Sequence, residues 1–292
     1  MAKTPNDELR GKVVLITGGN GGIGSATTRE LIARGATVVV ADIDPTTPDR
    51  TEQLYGSAAM GYVVDVRDRL SLAAAVSQTL DRHGRIDVTI ANAGLLARAA
   101  TMRTTPAGAF ASTMDVNVMG VVNTVATTLE PVIAQRGQIV LVSSVFAFLN
   151  GMGAIPYAMS KAAVEQLGRA LRIELADHGV NVLTAYFSMV ETNMITRGID
   201  EDPVVVELLG TLPKPMLKRV APDSAARAIA DGLEARAARV LHPGRWSAIS
   251  ALRGVIGPAF DARLSKDRRT LDILARLERP LPTATTTTKG VS

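Results

Sequence analysis

Short runs of hydrophobic residues alternate along this chain with longer stretches in which hydrophobic residues recur every three to four positions. Short runs of this kind indicate strands buried on both faces, and they lie at 13–16, 37–41, 62–65, 88–91, 139–143 and 180–185. Helical spacing is found between them, at 25–34, 70–80, 113–129 and 164–175. Strands that alternate with helices predict βαβ units, so we expect an α/β fold with one doubly wound parallel sheet in three α/β/α layers.

After residue 188 this rhythm weakens. Prolines interrupt residues 203–222, and only one further helix, around 223–237, and one strand, at 239–242, are predicted before an arginine-rich helical pattern at 247–277. We therefore predict a main domain at 1–246 that includes an irregular segment at about 193–217. A basic helical extension at 247–281 and a disordered, threonine-rich tail at 282–292 follow it.

The composition is that of an ordinary folded protein of 292 residues, 47% hydrophobic and 21% charged. Because there is no cysteine and only three histidines, no disulfide framework and no metal site are predicted. The first ten residues carry four charged side chains and no long apolar stretch, so we expect no secretory signal and a cytoplasmic protein. The uncharged window 137–160 is interrupted by serines, a proline and glycines, and no integral membrane segment is predicted.

Charge is distributed unevenly along the chain. Residues 1–213 hold 17 basic and 21 acidic side chains, a net charge of −4, whereas residues 214–292 hold 15 and 7, a net charge of +8. Nucleic-acid binding usually combines basic clusters with stacking aromatic rings, and the basic part offers only Trp246 and Phe260. No nucleic-acid partner is predicted.

A glycine-rich loop follows the first predicted strand and precedes the first predicted helix. Glycines at 18, 22 and 24 allow a tight turn and let a pyrophosphate approach the N–H groups at the helix N terminus. Such a loop can also serve tight packing of a strand on a helix. We predict a dinucleotide site whose phosphate-side contacts are Gly18, Asn20, Gly22, Ile23 and Gly24.

Two aspartates close the second and third predicted strands. Asp42, 18 residues beyond Gly24, can accept hydrogen bonds from an adenosine ribose and would repel a 2′-phosphate, which favours NAD. Neither Ile43 nor Gly21 offers a cation for such a phosphate. Asp65, followed by Val66, is expected to accept from the adenine amino group. The alternative for both aspartates is a solvated turn.

Tyr157 and Lys161 are four positions apart at the start of a predicted helix, so their side chains share one face. A tyrosine of ordinary pKa, about 10, is a poor base at neutral pH, and lowering that pKa by about three units requires roughly 4 kcal/mol of preferential stabilisation of the phenolate. Lys161 and a nicotinamide cation could supply that field, and Tyr157 would then exchange a proton with an alcohol or carbonyl oxygen. Taken alone, this pair is typical of any amphipathic helix, but the glycine loop favours the catalytic interpretation.

Four motifs in this order resemble the short-chain dehydrogenase/reductase family, of the type with about 250 residues: Thr17-Gly-Gly-Asn-Gly-Gly-Ile-Gly24, Asn92-Ala93-Gly94, Ser144 and Tyr157-Ala-Met-Ser-Lys161. The resemblance spans about residues 10–195. It implies a single Rossmann-type domain and an NAD(P)-dependent oxidoreductase acting on CH–OH groups, with a homodimer or homotetramer as the assembly. By the same resemblance Ser144 donates a hydrogen bond to the substrate oxygen, Asn117 supports Lys161, and the motif at 92–94 lines the adenosine side and braces the sheet.

The sequence departs from the family after the sixth strand. The family pattern is Pro-Gly followed by a threonine, whereas this chain has Phe187-Ser188 and then Thr192. Thr192 and the backbone of Val190 are still expected to contact the nicotinamide, but the bulky Phe187 is expected to reshape that wall. The glycine-rich ending of the family is also missing, and the basic extension stands in its place.

Residues 193–217 are predicted to fold over the substrate as an apolar lid. The apolar residues of this lid and of the segment after Ser144 are Met194, Ile195, Val204, Val205, Val206, Leu208, Leu209, Leu212, Met216, Leu217, Phe146, Phe148, Leu149 and Met152. They would suit a lipophilic alcohol or ketone, alicyclic or steroid-like, although the same residues would serve equally well as core.

The extension has two interpretations. Arg253, Arg263, Arg268 and Arg269 could face anionic lipid on an interfacial helix, or the extension could be a lid or a dimer arm; the second is favoured. The predicted helix at 157–178 carries an apolar stripe expected to pack on a partner subunit, namely Ala163, Leu167, Ala170, Leu171 and Leu175.

The function predicted from the sequence is hydride transfer between NAD(H) and a small-molecule secondary alcohol or ketone by Asn117, Ser144, Tyr157 and Lys161. One alternative is an NADP-linked 3-ketoacyl-type reductase, which would need cations near the ribose. The other is a non-catalytic, dinucleotide-sensing protein on the same fold, because a fold does not fix a function.

Overall fold

Seven parallel strands form a single sheet in the computed structural model, which describes residues 7–279. The strands are β1 (Val13–Thr17), β2 (Thr37–Asp42), β3 (Ala59–Val63), β4 (Val88–Ala91), β5 (Gln138–Ser144), β6 (Asn181–Phe187) and β7 (Arg239–His242). Their order across the sheet is β3-β2-β1-β4-β5-β6-β7. The chain therefore runs outward from β1 to β3, returns to β4 and runs outward again, which confirms the doubly wound α/β fold. In such a sheet ligands bind where the strand order reverses, here beyond the carboxyl ends of β1 and β4.

Helices connect the strands and continue beyond them. They are α1 (Gly22–Ala33), α2 (Thr47–Tyr55), α3 (Arg69–His83), α4 (Ala107–Met114), α5 (Gly120–Ala134), α6 (Ile155–Glu174), α7 (Asn193–Ile195), α8 (Pro203–Leu209), α9 (Lys214–Leu217), α10 (Pro222–Glu234), α11 (Trp246–Leu264) and α12 (Arg268–Leu277). The last two confirm the helical extension. The predicted tail at 282–292 lies outside the described residues.

The sequence pattern missed helix α2, and it also missed the short helices α7, α8 and α9 in the segment predicted to be irregular. The nine residues of α2 are mostly polar, and the residues that it buries are Thr47 and Thr51, so no apolar periodicity marks it. The single helix predicted at 113–129 is instead α4, a π-helical turn at Asp115–Met119 and α5.

Hydrophobic residues cover both faces of the sheet, because successive side chains of a strand point to opposite sides. On one face Val14, Ile16 and their neighbours pack with Leu31 of α1 and Ile229 of α10. On the other face the alternate strand residues pack with buried residues of α3, α5 and α6. The cleft described below therefore has a rigid, fully packed floor.

Two apolar helical segments lie within this core. Leu171 and Leu175 of the α6 stripe are buried against the sheet of the same chain, so their hydrophobicity is explained without a partner subunit. The run Ala107–Ala134 has the length and hydropathy of a membrane span, but 44% of its most apolar window is buried within the fold, as in a core helix. The homo-oligomer stays a prediction, without support from the stripe.

Candidate active site

A cleft of about 700 Å³ opens along the carboxyl ends of the central strands. This volume lies within the range of about 300–1,000 Å³ of small-molecule sites. Every residue predicted to contact the dinucleotide lines it, from Gly18 in the glycine loop to Thr192 beyond β6. Residues more than 170 positions apart in the sequence thus line one continuous cleft, because parallel strands end at the same edge of the sheet.

The glycine loop leaves room for a phosphate at the N terminus of α1. Gly18 has a φ of +64°, and a Cβ on Gly24 would lie 2.2 Å from the Gly18 carbonyl oxygen. A Cβ on Gly22 would lie 2.5 Å from Cγ2 of Thr192, on the opposite wall of the cleft. No side chain caps the first turn of α1 at Gly21. The exposed N–H groups and the narrow passage fit a pyrophosphate, which is bound well at a helix N terminus.

Asp42 is fixed at the adenosine end of the cleft. Its Oδ2 accepts a hydrogen bond from the main-chain N–H of Asn20 at 2.9 Å, and its Oδ1 accepts one from that of Asp44 at 3.2 Å. The side chain of Asn20 donates to Thr47 Oγ1 at 2.8 Å and so ties the loop to α2. Exposed Ile43 completes this wall.

The same wall contains Arg50, from α2, which adjacency in the sequence did not indicate. Neither Ile43 nor Gly21 supplies a cation, as predicted, but Arg50 lies on the wall where a 2′-phosphate would be placed. A helix between β2 and β3 brings Arg50 to the adenosine end as well.

Asp65 is also engaged by a cation that the sequence analysis missed. Its two carboxylate oxygens accept hydrogen bonds from the Arg67 guanidinium, Oδ2 at 2.6 Å, and this pairing lowers the pKa of Asp65 although burial opposes the shift. Val66, between them, is 7% exposed and lines the cleft. The adenine contact of Asp65 stays a prediction, and Arg67 would share it.

The Asn92-Ala93-Gly94 segment braces the loop from below. Asn92 Nδ2 donates to the carbonyl oxygens of Thr17 and Gly18 at 3.0 and 2.9 Å. A Cβ on Gly18 would lie 2.7 Å from Ala93 Cα, so the two segments are in direct contact. Asn92 therefore holds the loop in shape through hydrogen bonds of its side chain.

Tyr157 and Lys161 stand on the first two turns of α6 and face the cleft together. Lys161 Nζ lies 5.6 Å from the centroid of the Tyr157 ring and donates to the carbonyl oxygen of Val142 at 3.0 Å. Burial lowers the pKa of Lys161 from 10.5 to about 8. Burial raises the pKa of Tyr157, and the neighbouring Ser144 side chain only opposes that shift in part. The protein by itself thus holds Tyr157 protonated, and the lowering predicted from the sequence would require the additional charge of a bound nicotinamide cation.

Ser144 ends β5 beside these two residues. Its hydroxyl donates to the carbonyl oxygen of Phe187 at 3.2 Å and accepts from the main-chain N–H of Phe146 at 3.2 Å. Its neighbour Ser143 also lines the cleft, but its hydroxyl donates to the Lys161 carbonyl oxygen at 2.9 Å. Of the two serines, Ser143 thus supports α6, and only Ser144 lines the second cavity described below.

Asn117 is the predicted catalytic residue that does not line the cleft. It lies in the π-helical turn, fully buried, and its Oδ1 accepts from the main-chain N–H of Leu95 at 2.8 Å. Its Nδ2 donates to the Leu95 carbonyl oxygen and to Ser160 Oγ at 2.9 and 3.0 Å. Because all of these bonds tie the strand β4 loop to α6, the geometry makes Asn117 a positioning residue.

The segment after β6 lines the end of the cleft where the nicotinamide contacts are predicted. Val190 is buried and pairs with Val220 in an isolated bridge, while Thr192 faces the glycine loop. Phe187 lines the cleft but is 2% exposed and belongs to the core on the α1–α10 face. The departure from the family pattern therefore adds bulk to the core at the floor of the site.

A second cavity, which we name the apolar chamber, adjoins the cleft under the predicted lid. Ser144, Tyr157, Ser188, Met194 and Ile195 line both cavities. None of the described residues that line the chamber is charged. Most predicted lid residues line it, whereas Val204, Val206 and Phe148 do not.

The extension supplies part of the chamber wall, which agrees with the lid interpretation that the sequence left open beside a dimer arm. Trp246 and Phe260, both in α11, line it. Arg253 donates from one guanidinium nitrogen to both oxygens of Glu165 at 2.7 and 2.9 Å, so this arginine faces the domain, which is against the disfavoured interpretation in which it faces lipid. Glu278, just after α12, pairs with Arg103 at 2.5 Å. The extension is thus held on the domain beside the chamber.

Comparison with known proteins agrees with this geometry. The family model for short chain dehydrogenases matches residues 12–202. Oxidoreductase UcpA of Escherichia coli O157:H7 is 34% identical over 224 residues, covering 73% of this chain and 84% of the relative. L-fucose dehydrogenase of Mus musculus is 31% identical over 220 residues, covering 75% and 80%.

A solved structure shares the fold over most of this chain. The 3-ketoacyl-(acyl-carrier-protein) reductase from Brucella melitensis, complexed with NADH, has a TM-score of 0.72 at 25% identity, and the match covers 80% of this chain and 97% of that one. The family model covers well over half of the present chain, and the glycine loop and Tyr157–Lys161 pair lie within the matched residues. This chain belongs to the short-chain dehydrogenase/reductase family, whose members are nicotinamide-dinucleotide-binding oxidoreductases.

Proposed function

We propose that this protein interconverts a compact, uncharged secondary alcohol and its ketone, with NAD(H) as the hydride carrier. The observation that carries the proposal is the junction of the two cavities, because Ser144 and Tyr157 line both the cleft and the apolar chamber. A carbonyl group at this junction would have its oxygen beside two hydroxyl groups and its carbon toward the nicotinamide end of the cleft.

Proton transfer is assigned to Tyr157. A nicotinamide dinucleotide bound in the cleft supplies the hydride in reduction and accepts it in oxidation. Tyr157 donates its hydroxyl proton to the carbonyl oxygen in reduction and takes a proton from the alcohol in oxidation. Burial, which raises its pKa, keeps the phenol in the protonated form that reduction requires. Ser144 stabilises negative charge that develops on the same oxygen when its hydroxyl turns from the Phe187 carbonyl oxygen and donates to the substrate.

The chamber supports a smaller substrate than the steroid-like one considered from the sequence. Its volume is about 110 Å³, below the range of about 300–1,000 Å³ of typical small-molecule sites. A compact alicyclic skeleton suits this space, whereas a steroid would need the lid to open. A sugar such as the substrate of L-fucose dehydrogenase would leave several hydroxyl groups among apolar side chains without partners.

The choice of NAD(H) rests on Asp42. Two main-chain N–H groups hold its carboxylate at the adenosine end, where a 2′-phosphate would meet a fixed negative charge. Arg50 on the same wall is the opposing feature and supports the NADP-linked alternative.

Calorimetric titration of NAD⁺ and NADP⁺ distinguishes the two dinucleotides. We expect NAD⁺ to bind the wild type at least about tenfold more tightly, and Asp42→Asn to remove most of that preference. Arg50→Ala, on the same wall, is the matched control and should leave NAD⁺ affinity unchanged. A wild-type preference for NADP⁺ that Arg50→Ala abolishes would overturn the assignment.

Tyr157→Phe tests the reaction itself. The variant keeps the ring but lacks the transferable proton, so turnover of alicyclic and linear secondary alcohols, followed by NADH absorbance, should fall at least about a hundredfold. Dinucleotide affinity should not change. Unchanged turnover would refute the mechanism, and tight NAD⁺ binding without turnover of any alcohol or ketone, including acyl thioesters, would favour the sensor alternative.

We also propose that the protein assembles as a homodimer or homotetramer, on the family resemblance alone. Light scattering after size-exclusion chromatography should give two or four times the chain mass of 30.7 kDa, and a single chain mass would refute it. The cytoplasmic location stays a prediction.

A further inference from the structure

Two buried polar atoms on the wall of the apolar chamber have no hydrogen-bond partner within residues 7–279. They are Oγ of Ser188 and Nε1 of Trp246. The other three such atoms in the described part belong to threonines at 27, 51 and 89, none of which lines the chamber. Unpartnered buried donors are rare in folded proteins, so two of them beside one cavity indicate what that cavity holds.

The two atoms mark different parts of the chamber. Ser188 lines both the cleft and the chamber, so its hydroxyl belongs to the junction where the reaction takes place. Trp246 lines only the chamber, away from the glycine loop and the nicotinamide end. Trp246 therefore borders the part of the chamber that would hold the unreactive part of a substrate.

Packing holds the indole in place. The Trp246 side chain is 2% exposed, and its ring lies 6.5 Å from that of Phe148 in an edge-on arrangement. The guanidinium group of Arg253 lies 6.0 Å from the centroid of the Phe148 ring and forms an ion pair with Glu165. An indole fixed by this series of contacts cannot turn its N–H toward solvent without displacing the start of α11.

The indole N–H is a donor only, so its partner must be an acceptor. The chamber wall is uncharged and apolar, which disfavours a carboxylate or phosphate and leaves a neutral oxygen. The proposed hydrogen-bond donors to the reacting oxygen are Ser144 and Tyr157. We infer that the substrate carries a second neutral oxygen, a carbonyl, ether or hydroxyl, that accepts a hydrogen bond from Trp246 Nε1, and that Trp246 is a specificity-determining residue.

This inference rests on the proposed function, because it concerns how the same site recognises the unreactive end of its substrate. A site that hydrogen-bonds a substrate oxygen rejects the analogue without it, since the buried donor then stays unpaired. The expected preference for a substrate with the second oxygen over the analogue without it is at least about fivefold in kcat/KM. It is larger where the indole excludes water completely.

The test compares matched ketones on the full chain. Decalone and decalindione have the same skeleton and differ in the second carbonyl. With NADH, the wild type should prefer the diketone by at least about fivefold in kcat/KM. Trp246→Phe, which keeps an aromatic ring and removes the donor, should bring the two values within about twofold, chiefly by lowering that for decalindione. Phe260→Leu, on the same helix and the same wall, should change both values by a similar factor and keep the preference.

Binding can be read without turnover, because Trp246 is the one tryptophan in the sequence. With NAD⁺ in place of NADH the ketones cannot be reduced, and decalindione should shift the tryptophan emission while decalone should not. The Trp246→Phe protein gives no such signal, so calorimetry measures its affinities for the two ketones. Thermal unfolding verifies that both variants fold.

The outcomes separate the two proposals. Turnover of both ketones with equal kcat/KM, or a preference that survives Trp246→Phe, overturns the role of Trp246 and leaves the proposed function standing. Selective diketone binding that requires Trp246, without turnover of either ketone, supports the role and overturns the reaction. Binding of neither ketone overturns both.

Discussion

Lys161 is a buried cation to which we assign a role in the reaction but not in stability. Its side chain is 5% exposed, and burial lowers its pKa from 10.5 to about 8. Because burial without a carboxylate partner disfavours the charged form, the folded protein is destabilised whenever Lys161 is protonated. Replacing it by methionine, which is uncharged and of similar length, should therefore stabilise the fold and abolish turnover.

The magnitude follows from the two pKa values. One pKa unit corresponds to about 1.4 kcal/mol, so the fall from 10.5 to about 8 amounts to about 3 kcal/mol at neutral pH. The variant also loses the hydrogen bond that Lys161 Nζ donates to the Val142 carbonyl oxygen, worth about 1 kcal/mol. We expect Lys161→Met to raise the free energy of unfolding by about 2 kcal/mol near pH 7.

The gain should depend on pH in a defined direction. Between the folded pKa of about 8 and the unfolded value of 10.5, the unfolded chain binds more protons, so the stability of the wild type rises with pH. Urea unfolding of both proteins at several pH values from neutral to mildly alkaline should thus show the difference shrinking as pH increases through about 8. Effects of the other titrating groups cancel in this difference.

Two results would refute the reasoning. A variant that is less stable than the wild type near neutral pH would mean that burial of the ammonium is compensated by partners other than the Val142 carbonyl. If the stabilisation by Lys161→Met did not change with pH, its cause would be the packing of the methionine and not the removal of a buried charge. Lys161→Arg, which keeps a charge of higher intrinsic pKa, is the matched control and should not be stabilised.

Gly24→Ala should weaken NAD⁺ binding at least about tenfold by calorimetry, because its Cβ would lie 2.2 Å from the Gly18 carbonyl oxygen; unchanged affinity would contradict the loop geometry. Arg253→Met should lower the free energy of urea unfolding by about 1–3 kcal/mol, since Glu165 would keep a buried charge without its partner. Adding Glu165→Gln should restore part of the lost free energy, and no recovery would argue against a stabilising Arg253–Glu165 ion pair. Asp87→Asn should lower thermal stability at neutral pH by about 2 kcal/mol. Burial of Asp87 tends to raise its pKa, but the basic side chains and the main-chain N–H that it contacts outweigh this effect and lower the pKa. The stability that the Asp87 carboxylate contributes to the wild type should therefore be lost as pH falls below 3.8. An acid unfolding transition that is the same in the variant as in the wild type would contradict this prediction.

Local patterns in the sequence predicted most of the sheet. Five apolar runs and the strand at 239–242 correspond to strands of the sheet, because a parallel strand buried on both faces needs a nearly continuous hydrophobic run. The run at 62–65 overlaps only the end of β3 (Ala59–Val63), an edge strand that is only partly buried. Polar helix α2 was missed because threonines form its buried face. The α6 stripe was assigned to a partner subunit, although the sheet of the same chain covers Leu171 and Leu175, because a periodic pattern shows that a face is buried without showing by what.

The candidate site divides in the same way. The motifs from Gly18 to Thr192 indicated residues that do line one cleft, since each stands at a strand end or a helix start, and the parallel sheet brings those positions to one edge. Arg50 and Trp246 could not be found in this way. They come from α2 and α11, and only the packing of these helices brings them to the adenosine end and to the chamber wall.

By itself the sequence determined the α/β order, the doubly wound sheet and the chemical groups at the ends of its strands, because these depend on contacts between near neighbours and on the spacing of apolar residues. Only the tertiary structure decided how those groups are charged and which of them face a ligand. Burial lowers the pKa of Lys161 to about 8 and raises that of Tyr157, and it encloses an indole N–H without a partner. These properties depend on how completely distant segments exclude water, and no local pattern in the chain records that.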